Sequence, residues 1–492
     1  MKICVLLPDY STSSVDYQHY DPPRDLSALL PQHTVHHVAL NKLTTYRQLK
    51  KLSREGFDIF VNLCEGYLDW DVPSIDVIQS LELLKLPYTG PPAHLYDPPK
   101  ALMKYVAYTA NVRTPAHGLI RNTSDAESVA EGLAFPLFVK PSHAGDSLGI
   151  DDASLVHDRS ALLAKVTSAL ADYDELLVEE YVDGREFTVL VLAGADGSGS
   201  CEALMPVEYH FPEGQKFKTY ALKTSDLHPG ANRPVHDPEL RAQLEEAAKR
   251  IFAAFGGLGY ARLDFRMNTE GELFFLEINF TCSVFYRDGL EGSADHILAH
   301  DGIGQAGFAE RIINDGLARF RNRQRPYGMQ GNAVSGYGIF ATRALQTHDI
   351  VFAGEGQAHH IITGNYVRTQ WSADAQREFR RYALPLSADV YVLWNQDPGD
   401  WSPQNHSCNA NTTYDGLNVM ALRPIAVGEE LTLDYALLMN DQSEPFQCQC
   451  GEASCRGVIR GVRENSVSTR EAMREAMRVA VGVRNDSRVI PR

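Results

Sequence analysis

The chain has 492 residues, too many for one ordinary hydrophobic core, and this length predicts roughly two to four domains. Its hydrophobic content of 44% and charged content of 22% are typical of globular proteins, and its net charge of −17 argues against a general nucleic-acid binder. No apolar run approaches the roughly 18 residues that span a bilayer, and the start, MKICVLLPDY, is too short in its apolar part for a signal peptide. We therefore expect a cytoplasmic protein with no membrane partner.

Short apolar runs alternate with helical patterns at the start of the chain. Residues 2–8 and 57–63 predict buried parallel strands, and residues 74–86 predict a helix that Ser74 could cap. Proline and glycine residues interrupt this pattern between residues 87 and 92. The order of these segments predicts an N-terminal α/β lobe over residues 1–95.

The following residues carry signals for phosphate binding that are weak one by one. Lys100 and Lys104 lie on one face of a predicted helix, where solvation alone would explain them. Residues 135–150 predict a strand that ends at Lys140 and then a loop of small residues. The backbone N–H groups of such a loop can approach phosphate closely, although many Gly-Ser turns bind nothing.

Two further strands are predicted on either side of a glycine. The first covers residues 176–182 and the second begins at Glu186. Adenine sites often use the backbone of such an exposed edge, together with an acid for the ribose. Lys223 lies in a polar stretch between predicted strands and is ambiguous by itself.

A β-hairpin is predicted between residues 259 and 281. Two apolar-rich runs flank an Asn-Thr-Glu-Gly turn, and polar residues alternate with apolar ones in each run. Arg262 and Asp264 therefore leave one face of the first strand, and Glu277 and Asn279 leave one face of the second. Oxygen ligands of this kind suit Mg²⁺. The alternative is a half-buried hairpin with one polar face and no metal.

Residues 1–315 as a whole resemble the ATP-grasp family, and within it the D-alanine–D-alanine ligase branch. The matching pieces, in chain order, are FDIFVNLCEG, PYTGPP, PPKALMK, VKPSHAGDSLGI, VEEYVDGREFTV, YALKTSD, ARLDF and LEINFT. The resemblance implies an α/β ATP-grasp fold, in which the N-terminal lobe precedes a two-lobed ATP cleft over residues 96–315. It also implies a ligase that activates a carboxylate as an acyl phosphate, which an amine then attacks.

The resemblance gives individual residues a role. The 142–149 loop would close over the phosphates, Lys223 would reach the γ-phosphate, and Arg262 would hold the developing oxyanion. The implied magnesium ligands are Asp264, Glu277 and Asn279. The other implied contacts to ATP are Lys100, Lys140, Ser147, Glu179, Glu180, Tyr181, Val182 and Glu186.

Two departures from this branch fall on substrate recognition. The ligases carry a Gly-Gly-x-Ser-x-Glu pattern after the first strand, where this chain reads PDYSTSSVDY. After the metal-binding asparagine they continue with a small residue, Pro and Gly, where this chain reads FTCS at residues 280–283. We expect ATP use to be kept and the acceptor pocket to differ, so D-alanine is not the expected substrate.

The character of the sequence changes after a predicted helix over residues 309–327. From residue 331 onward, short apolar runs separated by glycine turns predict a β-rich fold. We therefore expect a linker over residues 316–330, a second domain over residues 331–460 and a helical tail over residues 461–492.

Four cysteines give the strongest metal signal in the chain. Cys448, Cys450 and Cys455 are closely spaced, and Cys408 lies upstream in an Asn-His-Ser-Cys sequence. Four thiolates in a tetrahedral arrangement suit a closed structural Zn²⁺ site. A disulfide is the alternative, and the expected reducing compartment disfavours it.

Four motifs in this region resemble the SET methyltransferase domain with its post-SET zinc cluster. They are GYG at 336–338, NHSCNAN at 405–411, GEELTLDY at 428–435 and CQCGEASCRG at 448–457. The implied contacts to S-adenosylmethionine are Gly336, Tyr337, Gly338, Asn405 and His406, and the implied active-site tyrosine is Tyr435. Ala410 stands where the family usually has proline. Residues 359–404 would select the substrate, although their Trp371, Trp394 and Trp401 could equally be core residues.

These two halves predict a bifunctional enzyme, an ATP-dependent carboxylate–amine ligase fused to an N-methyltransferase, that acts on a small amino-acid or peptide substrate. The alternative is a protein-lysine methyltransferase whose ATP-grasp half is a docking or regulatory module. A third interpretation makes both halves scaffolds that sense ATP and S-adenosylmethionine. Ligases of the resembled branch are commonly dimers, and only this analogy suggests a homodimer.

Overall fold

The computed structural model describes residues 1–11, 13, 21–66, 71–143, 148–194, 200–217, 230–323, 325–332, 334–354, 359–387, 389–393, 404–440 and 443–461. The chain forms two compact units, Met1–Arg323 and Gln324–Arg492. Among the helices in these ranges, none is both long enough and apolar enough to cross a membrane.

The first unit contains thirteen strands in its described part. They are β1 (Lys2–Pro8), β2 (Thr34–Leu40), β3 (Ile59–Asn62), β4 (His117–Ile120), β5 (Leu137–Pro141), β6 (Leu155–Val156), β7 (Leu176–Glu180), β8 (Gly184–Ala193), β9 (Cys201–Ala203), β10 (Val207–Tyr209), β11 (Asn232–Pro234), β12 (Tyr260–Asn268) and β13 (Leu273–Asn279). Its described helices are α1 (Thr45–Leu52), α2 (Ile75–Leu83), α3 (Lys100–Thr109), α4 (Asp125–Glu131), α5 (Arg159–Ala169), α6 (Pro238–Ala254), α7 (Ser293–Asp301) and α8 (Gly304–Arg323).

Three sheets organise the first unit. The first sheet has the strand order β2-β1-β3 with both pairs parallel, which confirms the parallel strands predicted for the N-terminal lobe. A four-stranded antiparallel sheet has the order β4-β7-β5-β6, and a six-stranded one has the order β11-β10-β8-β12-β13 with β9 paired to β8. The predicted helix over 74–86 is α2, but the Ser74 side chain makes no capping bond to it; the Ser74 amide donates to Asp76 Oδ1 at 2.7 Å instead.

One face of the large sheet packs on helix α6, and the opposite face is apolar around Leu190 and Tyr260 but polar along the paired ends of β12 and β13. Phe187, Leu263 and Phe275 pack with Leu244 and Phe252 of α6 in one apolar cluster. Helix α6 begins where the Asp237 side chain accepts hydrogen bonds from two backbone amides and proline occupies the first turn. Because side chains alternate along a strand, this packing leaves the polar residues of β12 and β13 on the opposite face.

The second unit is β-rich, as the sequence predicts. Its described strands are β14 (Tyr327–Asn332), β15 (Gly336–Ala341), β16 (Ile350–Phe352), β17 (Ile361–Thr363), β18 (Leu384–Pro385), β19 (Val390–Val392), β20 (Asn405–His406), β21 (Thr412–Asp415), β22 (Asn418–Ala421), β23 (Thr432–Leu433), β24 (Phe446–Gln447) and β25 (Val458–Ile459). Its described helices are α9 (Gly364–Gln370), α10 (Ala373–Tyr382) and α11 (Tyr435–Leu438).

Small sheets share the core of this unit. Strands β14 and β15 form an antiparallel hairpin, β16-β22-β21 and β17-β19-β18 form three-stranded sheets, and β20 pairs with β23 in parallel. Ile339, Leu345, Val419 and Leu431 pack together as part of one apolar cluster. The parallel β20–β23 pair brings the NHSC and LDY motifs side by side.

The boundary between the units falls within the expected linker, but most of residues 316–330 are regular structure. Helix α8 extends to Arg323 because Arg319 is buried, pairs with Asp315 at 2.8 Å, and donates to the carbonyls of Tyr88 and Gly90. Strand β14 begins at Tyr327. The connection outside regular elements is therefore shorter than the sequence predicts. The domain limits at 95, 315 and 460 remain predictions, and the predicted helical tail lies outside the described residues from residue 462 onward.

Candidate active sites

The hairpin of β12 and β13 aligns the residues predicted to bind magnesium. Arg262 lies opposite Asn279, and Asp264 lies opposite Glu277. The register then shifts, so that Phe265 pairs with Phe275 and Leu276 is the extra residue of a β-bulge. Because of the bulge, Phe275 before it faces the apolar core while Glu277 and Asn279 after it face the polar side. The sequence did not predict this bulge.

The polar face of this hairpin offers oxygen donors at short range. Arg262 Nη2 lies 3.1 Å from Asp264 Oδ2, and the Asn279 amide nitrogen lies 3.5 Å from the same oxygen. Rotation of that amide presents its oxygen instead, because the two ends of an amide occupy nearly the same volume. Lys100 Nζ lies 3.9 Å from Glu277 Oε2. Two carboxylates and one amide fit a hard divalent cation.

Three buried side chains form an ion cluster next to this face. Glu179 receives Lys104 Nζ at 2.8 Å and Lys140 Nζ at 2.5 Å. Burial opposes ionisation of Glu179, but the two ammonium groups outweigh it and hold the pKa of this carboxyl at about 2. Lys100 is only 5% exposed and Lys104 only 1%, so the interpretation that solvation explains these lysines is wrong.

The structure corrects the expected adenine edge in two ways. Strand β7 pairs with β4 on one side and β5 on the other, so it is internal to its sheet and not an exposed edge. The Glu179 carboxylate forms ion pairs with Lys104 and Lys140, so its side chain holds these lysines in position. Glu180 accepts a hydrogen bond from the Ala134 amide at 2.8 Å.

The segment after β7 carries an aromatic ring under a cation. The guanidinium of Arg266 lies 4.8 Å from the Tyr181 ring centroid, and Phe138 stacks on the same ring at 6.2 Å. Arg266 Nε also lies 3.8 Å from Glu186 Oε2, the residue expected to contact ribose. Val182 is buried beside this arrangement. The sequence analysis missed Arg266, although it continues the alternation of Arg262 and Asp264 on one strand face.

Two predicted ligase residues cannot be placed. Ser147, with the centre of the 142–149 loop, and Lys223 both lie outside the described residues. Their roles toward phosphate remain predictions.

In the second unit, Gly336, Tyr337 and Gly338 begin strand β15, so the expected cofactor loop is the end of a hairpin. Gly336 has a φ of +89°, which favours glycine. A Cβ on Gly338 would lie 2.2 Å from Glu430 Oε1 and 2.8 Å from Asn405 Nδ2. Only glycine fits this position without displacing the two side chains.

The Asn405 amide has a fixed orientation. Its nitrogen donates to the Tyr337 carbonyl at 2.9 Å and to Glu430 Oε1 at 2.7 Å, while Asn332 donates to Glu430 Oε2 at 2.6 Å. Both neighbours of the Asn405 nitrogen are acceptors only, so the NH₂ group must face them and Oδ1 must face away. Sequence reasoning missed Glu430, whose only signal was its place in the GEEL motif.

His406 and Tyr435 are joined by a backbone hydrogen bond. The Tyr435 amide donates to His406 Nδ1 at 3.1 Å, so the ring proton resides on Nε2, which lies 3.4 Å from Cys408 Sγ. The Tyr435 hydroxyl donates to the Gln404 carbonyl at 2.5 Å. Burial raises the pKa of Tyr435 to about 12, so its hydroxyl stays protonated at neutral pH and acts as a donor.

The four predicted zinc ligands come together. The sulfur atoms of Cys408, Cys448, Cys450 and Cys455 all lie within 4.8 Å of one another. Cys408 and Cys448 are 3.9 Å apart, far beyond a bonded S–S distance of about 2.05 Å. The separation of 3.9 Å instead matches the roughly 3.8 Å between two thiolate sulfurs of a tetrahedral zinc site, in which each Zn–S bond is about 2.3 Å long. The cysteines are free, so the disulfide alternative is wrong and the donor set fits Zn²⁺.

Of the three tryptophans expected between residues 359 and 404, one is described. Trp371 packs edge-on against Phe379 at 6.1 Å, in a cluster that includes Tyr391. It is therefore a core residue of the second unit. Trp394 and Trp401 lie outside the described residues.

Two family profiles match the chain. The profile described as "D-ala D-ala ligase C-terminus" covers residues 107–284, and the profile described as "SET domain" covers residues 336–436. Both lie within the regions that resemble those families in sequence.

Curated relatives of the first unit are D-alanine–D-alanine ligases. The ligase of Bordetella petrii is 32% identical over 243 residues, which are 48% of this chain and 70% of that protein. The ligase of Chromohalobacter salexigens is 30% identical over 234 residues, or 46% of this chain and 67% of that protein. Ligase A of Mesorhizobium japonicum is 34% identical over 40% of this chain but only 53% of that protein. The matched regions thus span between 53% and 70% of these relatives.

The fold agrees with a solved structure. The superposition on the D-alanine–D-alanine ligase of Bacillus anthracis complexed with ATP covers 66% of this chain and 99% of the ligase chain, at 18% sequence identity and a TM-score of 0.50. This likeness shows the ATP-grasp fold. The chain therefore belongs to the D-alanine–D-alanine ligase family and joins that ATP-grasp part to a SET domain with a four-cysteine cluster.

Proposed function

We propose that the protein is a bifunctional enzyme, an ATP-dependent carboxylate–amine ligase fused to an S-adenosylmethionine-dependent N-methyltransferase. The observation that carries the ligase half is the register of β12 and β13, which sets Asp264 opposite Glu277 and Arg262 opposite Asn279. A scaffold that only binds a partner would not need two carboxylates, an amide and a guanidinium on one strand face.

In the proposed ligation, a carboxylate oxygen of the donor attacks the γ-phosphorus of ATP and ADP leaves. The nitrogen of a neutral amine then attacks the carbonyl carbon, phosphate leaves, and the amine loses a proton. Arg262 would stabilise the charge on the carbonyl oxygen, because its guanidinium stays protonated beside Asp264. Asp264, Glu277 and Asn279 would hold Mg²⁺, which neutralises charge on the phosphates during transfer.

The lysine cluster supports nucleotide binding by the same unit. Glu179 fixes Lys140 and Lys104 in the interior, and Lys100 lies near Glu277. Long lysine side chains lose conformational entropy when they bind, and a buried acid that orders Lys140 beforehand lowers this cost. We propose that Lys100 and Lys140 face the phosphates and that the segment at Tyr181 and Val182 faces the adenine.

The methyltransferase half rests on the fixed Asn405 amide. With its nitrogen bound to Tyr337 and Glu430, its oxygen can accept from an N–H donor such as the ammonium group of S-adenosylmethionine. Tyr435 would donate its hydroxyl proton within the site and would not act as a base, since its pKa is about 12. The acceptor nitrogen must therefore lose its proton elsewhere before it attacks the methyl group. The four cysteines would hold a structural Zn²⁺ behind this site.

The alternative is a protein-lysine methyltransferase whose ATP-grasp part is a docking or regulatory module. The missing glycines and glutamate after β1 favour it, because they are departures at substrate recognition. The ordered polar face of the hairpin opposes it. For the whole protein we propose a small amino-acid or peptide substrate, or a protein lysine in the alternative. We also propose a cytoplasmic location and a homodimer.

The test of the ligase half is ADP release by the full chain with a panel of carboxylates. Hydroxylamine serves as the amine, so that any acyl phosphate appears as a hydroxamate and the natural acceptor need not be known. We expect Glu277→Gln to lower turnover by about 100-fold or more, since it removes one of the two carboxylates that would hold the Mg²⁺ that neutralises the transferring phosphate.

Glu270→Gln is the matched control, because Glu270 is an exposed carboxylate in the turn of the same hairpin. It should leave turnover unchanged. If no carboxylate releases ADP while zinc and S-adenosylmethionine still bind, the ligase proposal fails and the docking-module alternative gains.

A further inference from the structure

Arg456 connects the four-cysteine cluster to the segment that carries Tyr435. Its backbone amide donates to Cys408 Sγ at 3.4 Å, and its side-chain Nε donates to the same sulfur at 3.5 Å. Its Nη2 donates to Asp434 Oδ1, and the two side chains form an ion pair. One residue therefore contacts both a predicted zinc ligand and the residue that directly precedes Tyr435 in the chain.

Asp434 fixes the start of the short helix α11. Its Oδ1 accepts from the Ala436 amide at 3.1 Å, and its backbone carbonyl accepts from the Leu437 amide at 3.1 Å. Helix α11 has only four residues, so these two bonds account for a large share of its backbone hydrogen bonding. The carboxylate oxygen that caps the helix is also the one that Arg456 holds. A shift of the guanidinium would therefore move the backbone at Tyr435.

A second route leads from the same sulfur to Tyr435. His406 Nε2 lies 3.4 Å from Cys408 Sγ, and His406 Nδ1 accepts from the Tyr435 amide at 3.1 Å. Asp434 Oδ1 lies 3.8 Å from His406 Nδ1, so the two routes also lie side by side. Both begin at Cys408 and end at Tyr435, and together they close a ring. This ring restrains the peptide group that precedes the Tyr435 side chain.

The charges in this region explain why a cation lies between the two groups. Four thiolates around one Zn²⁺ carry a net charge of about −2, and Asp434 is a further anion beside them. Without Arg456, the Asp434 carboxylate and the Cys408 thiolate would repel each other. The Arg456 side chain is 41% exposed, so little apolar packing depends on it, and an ion pair this exposed contributes little to folding. Its contacts therefore favour a positioning role over a role in stability.

We propose that Arg456 is a positioning residue of the methyltransferase site, which holds Asp434 against the Cys408 thiolate and thereby fixes the backbone of Tyr435. The proposal rests on the proposed methyltransferase function and adds to it a coupling between the cysteine cluster and the active-site tyrosine. Arginine suits this role because its planar guanidinium presents several N–H groups in fixed directions, whereas lysine offers a single ammonium group. Metal ligands commonly depend on such hydrogen bonds from neighbouring residues.

Hydrogen exchange of the zinc-loaded full chain, read by mass spectrometry, measures this coupling without a methyl acceptor. The amides of residues 435–437 are hydrogen-bonded to His406, to the Asp434 side chain and to the Asp434 carbonyl, in that order. Arg456→Gln should speed their exchange by about 10-fold or more, because it removes a charged hydrogen bond that orders this segment. The amides of the β14–β15 hairpin should exchange as before, and bound zinc should stay at about one ion per chain.

Two further variants separate the two arms of the Arg456 contact. Arg456→Lys keeps the backbone bond to sulfur and a charge beside Asp434, so exchange at residues 435–437 should stay within about threefold of the wild type. With Co²⁺ in place of zinc, Arg456→Lys and Arg456→Gln should both move the thiolate-to-cobalt charge-transfer band to longer wavelength, because the sulfur loses the Nε–H bond. Asp434→Asn should leave that band in place, and adding it to Arg456→Gln should raise exchange no further.

Arg460→Gln is the matched control, because Arg460 is an exposed arginine four residues further along the same segment. It should change neither the exchange nor the cobalt spectrum. Unchanged exchange at residues 435–437 in Arg456→Gln would overturn the proposal, and so would an equal loss of protection in the β14–β15 hairpin. Loss of bound zinc from Arg456→Gln would assign the residue to metal retention and would overturn the proposal as well.

Titration of S-adenosylmethionine into the full chain distinguishes this proposal from the proposed function. Protection that depends on Arg456 in a chain that does not bind S-adenosylmethionine would support the coupling and refute the methyltransferase. Binding of S-adenosylmethionine, with no effect of Arg456→Gln on exchange, would overturn the coupling and leave the methyltransferase proposal intact.

Discussion

Gly338 lies where strand β15 passes Glu430 and Asn405, and the addition of one methyl group there should weaken cofactor binding. A Cβ at this position would lie 2.2 Å from Glu430 Oε1 and 2.8 Å from Asn405 Nδ2, distances that carbon does not tolerate. In Gly338→Ala the carboxylate must therefore move by about 1 Å, since non-bonded C···O contacts need more than about 3.0 Å.

A displacement of this size breaks the hydrogen bonds that Glu430 makes. It accepts from Asn405 at 2.7 Å on one oxygen and from Asn332 at 2.6 Å on the other, and a shift of about 1 Å would lengthen at least one of these bonds past the useful range of about 3.5 Å. Hydrogen bonds to charged groups contribute about 1.5–3 kcal/mol each, and water recovers part of this for half-buried groups. A net loss of about 2 kcal/mol corresponds to a rise in the Kd for S-adenosylmethionine of about 30-fold.

The assay is titration of S-adenosylmethionine into the full chain, with zinc content as the check on folding. Gly331→Ala is the control, because a Cβ on Gly331 of the paired strand meets no atom within 4 Å. Glu430→Ala should weaken binding by a similar factor, and adding Gly338→Ala to it should cost little more, since the closer clash is gone and the Asn405 amide is no longer held by Glu430. Unchanged affinity in Gly338→Ala, or fully additive losses in the double variant, would refute the reasoning.

Three further outcomes are expected. Glu179→Gln should lower the free energy of unfolding of the first unit by about 3 kcal/mol at pH 7, because the native pKa of about 2 lies below the ordinary 4.5. This contribution is present above pH 4.5 and is lost as pH falls toward 2, so urea unfolding should show a smaller deficit at pH 3; an equal deficit at both pH values would contradict it. Cys450→Ser should reduce bound zinc from about one ion per chain to well below one, measured by elemental analysis, and undiminished zinc would exclude the site. Trp371→Ala should lower the melting temperature of the second unit, at a cost of about 2 kcal/mol for a partly buried tryptophan, without changing the affinity for S-adenosylmethionine, whereas a change in that affinity alone would return Trp371 to substrate or cofactor recognition.

The sequence predicted the metal face because side chains alternate along each strand, but the pairing of Asp264 with Glu277 also needs the bulge at Leu276, which the sequence did not predict. Within each strand alternation puts Arg262 with Asp264, and Glu277 with Asn279, on one face. Three of the zinc-site cysteines lie close together in the chain, and Cys408 joins them from 40 residues upstream. Strand alternation and the close spacing of three cysteines are short-range features, and they are the part of both sites that the sequence could predict. The same reasoning extended one step along β12 would have found Arg266.

The parts that the sequence could not predict depend on contacts between distant elements. Glu179 meets Lys104 and Lys140 only when α3, β5 and β7 have packed, so nothing local separates a buried ion cluster from a solvated helix face. Glu65 and Ser283 are 218 residues apart in sequence, and the hydrogen bond between their side chains forms only in the folded chain. The orientation of Asn405 likewise depends on Glu430 from another strand.

Because Leu276 is an extra residue in β13, one strand register places both the apolar pair Phe265–Phe275 in the core and the pair Asp264–Glu277 on the polar face. A regular ladder without the bulge would set Glu277 opposite Leu263 on the core side and turn Ile278 toward solvent, which would bury a carboxylate at a cost of several kcal/mol. The carbonyl of Leu276 accepts from the buried Lys104 ammonium at 3.1 Å, so the irregular backbone is also hydrogen-bonded. The hairpin therefore has no low-energy conformation in which its core packs well while its metal ligands are misaligned. Removal of Leu276 would restore a regular ladder with the same polar pairs, so one-residue deletions here should be tolerated far better than elsewhere in β13.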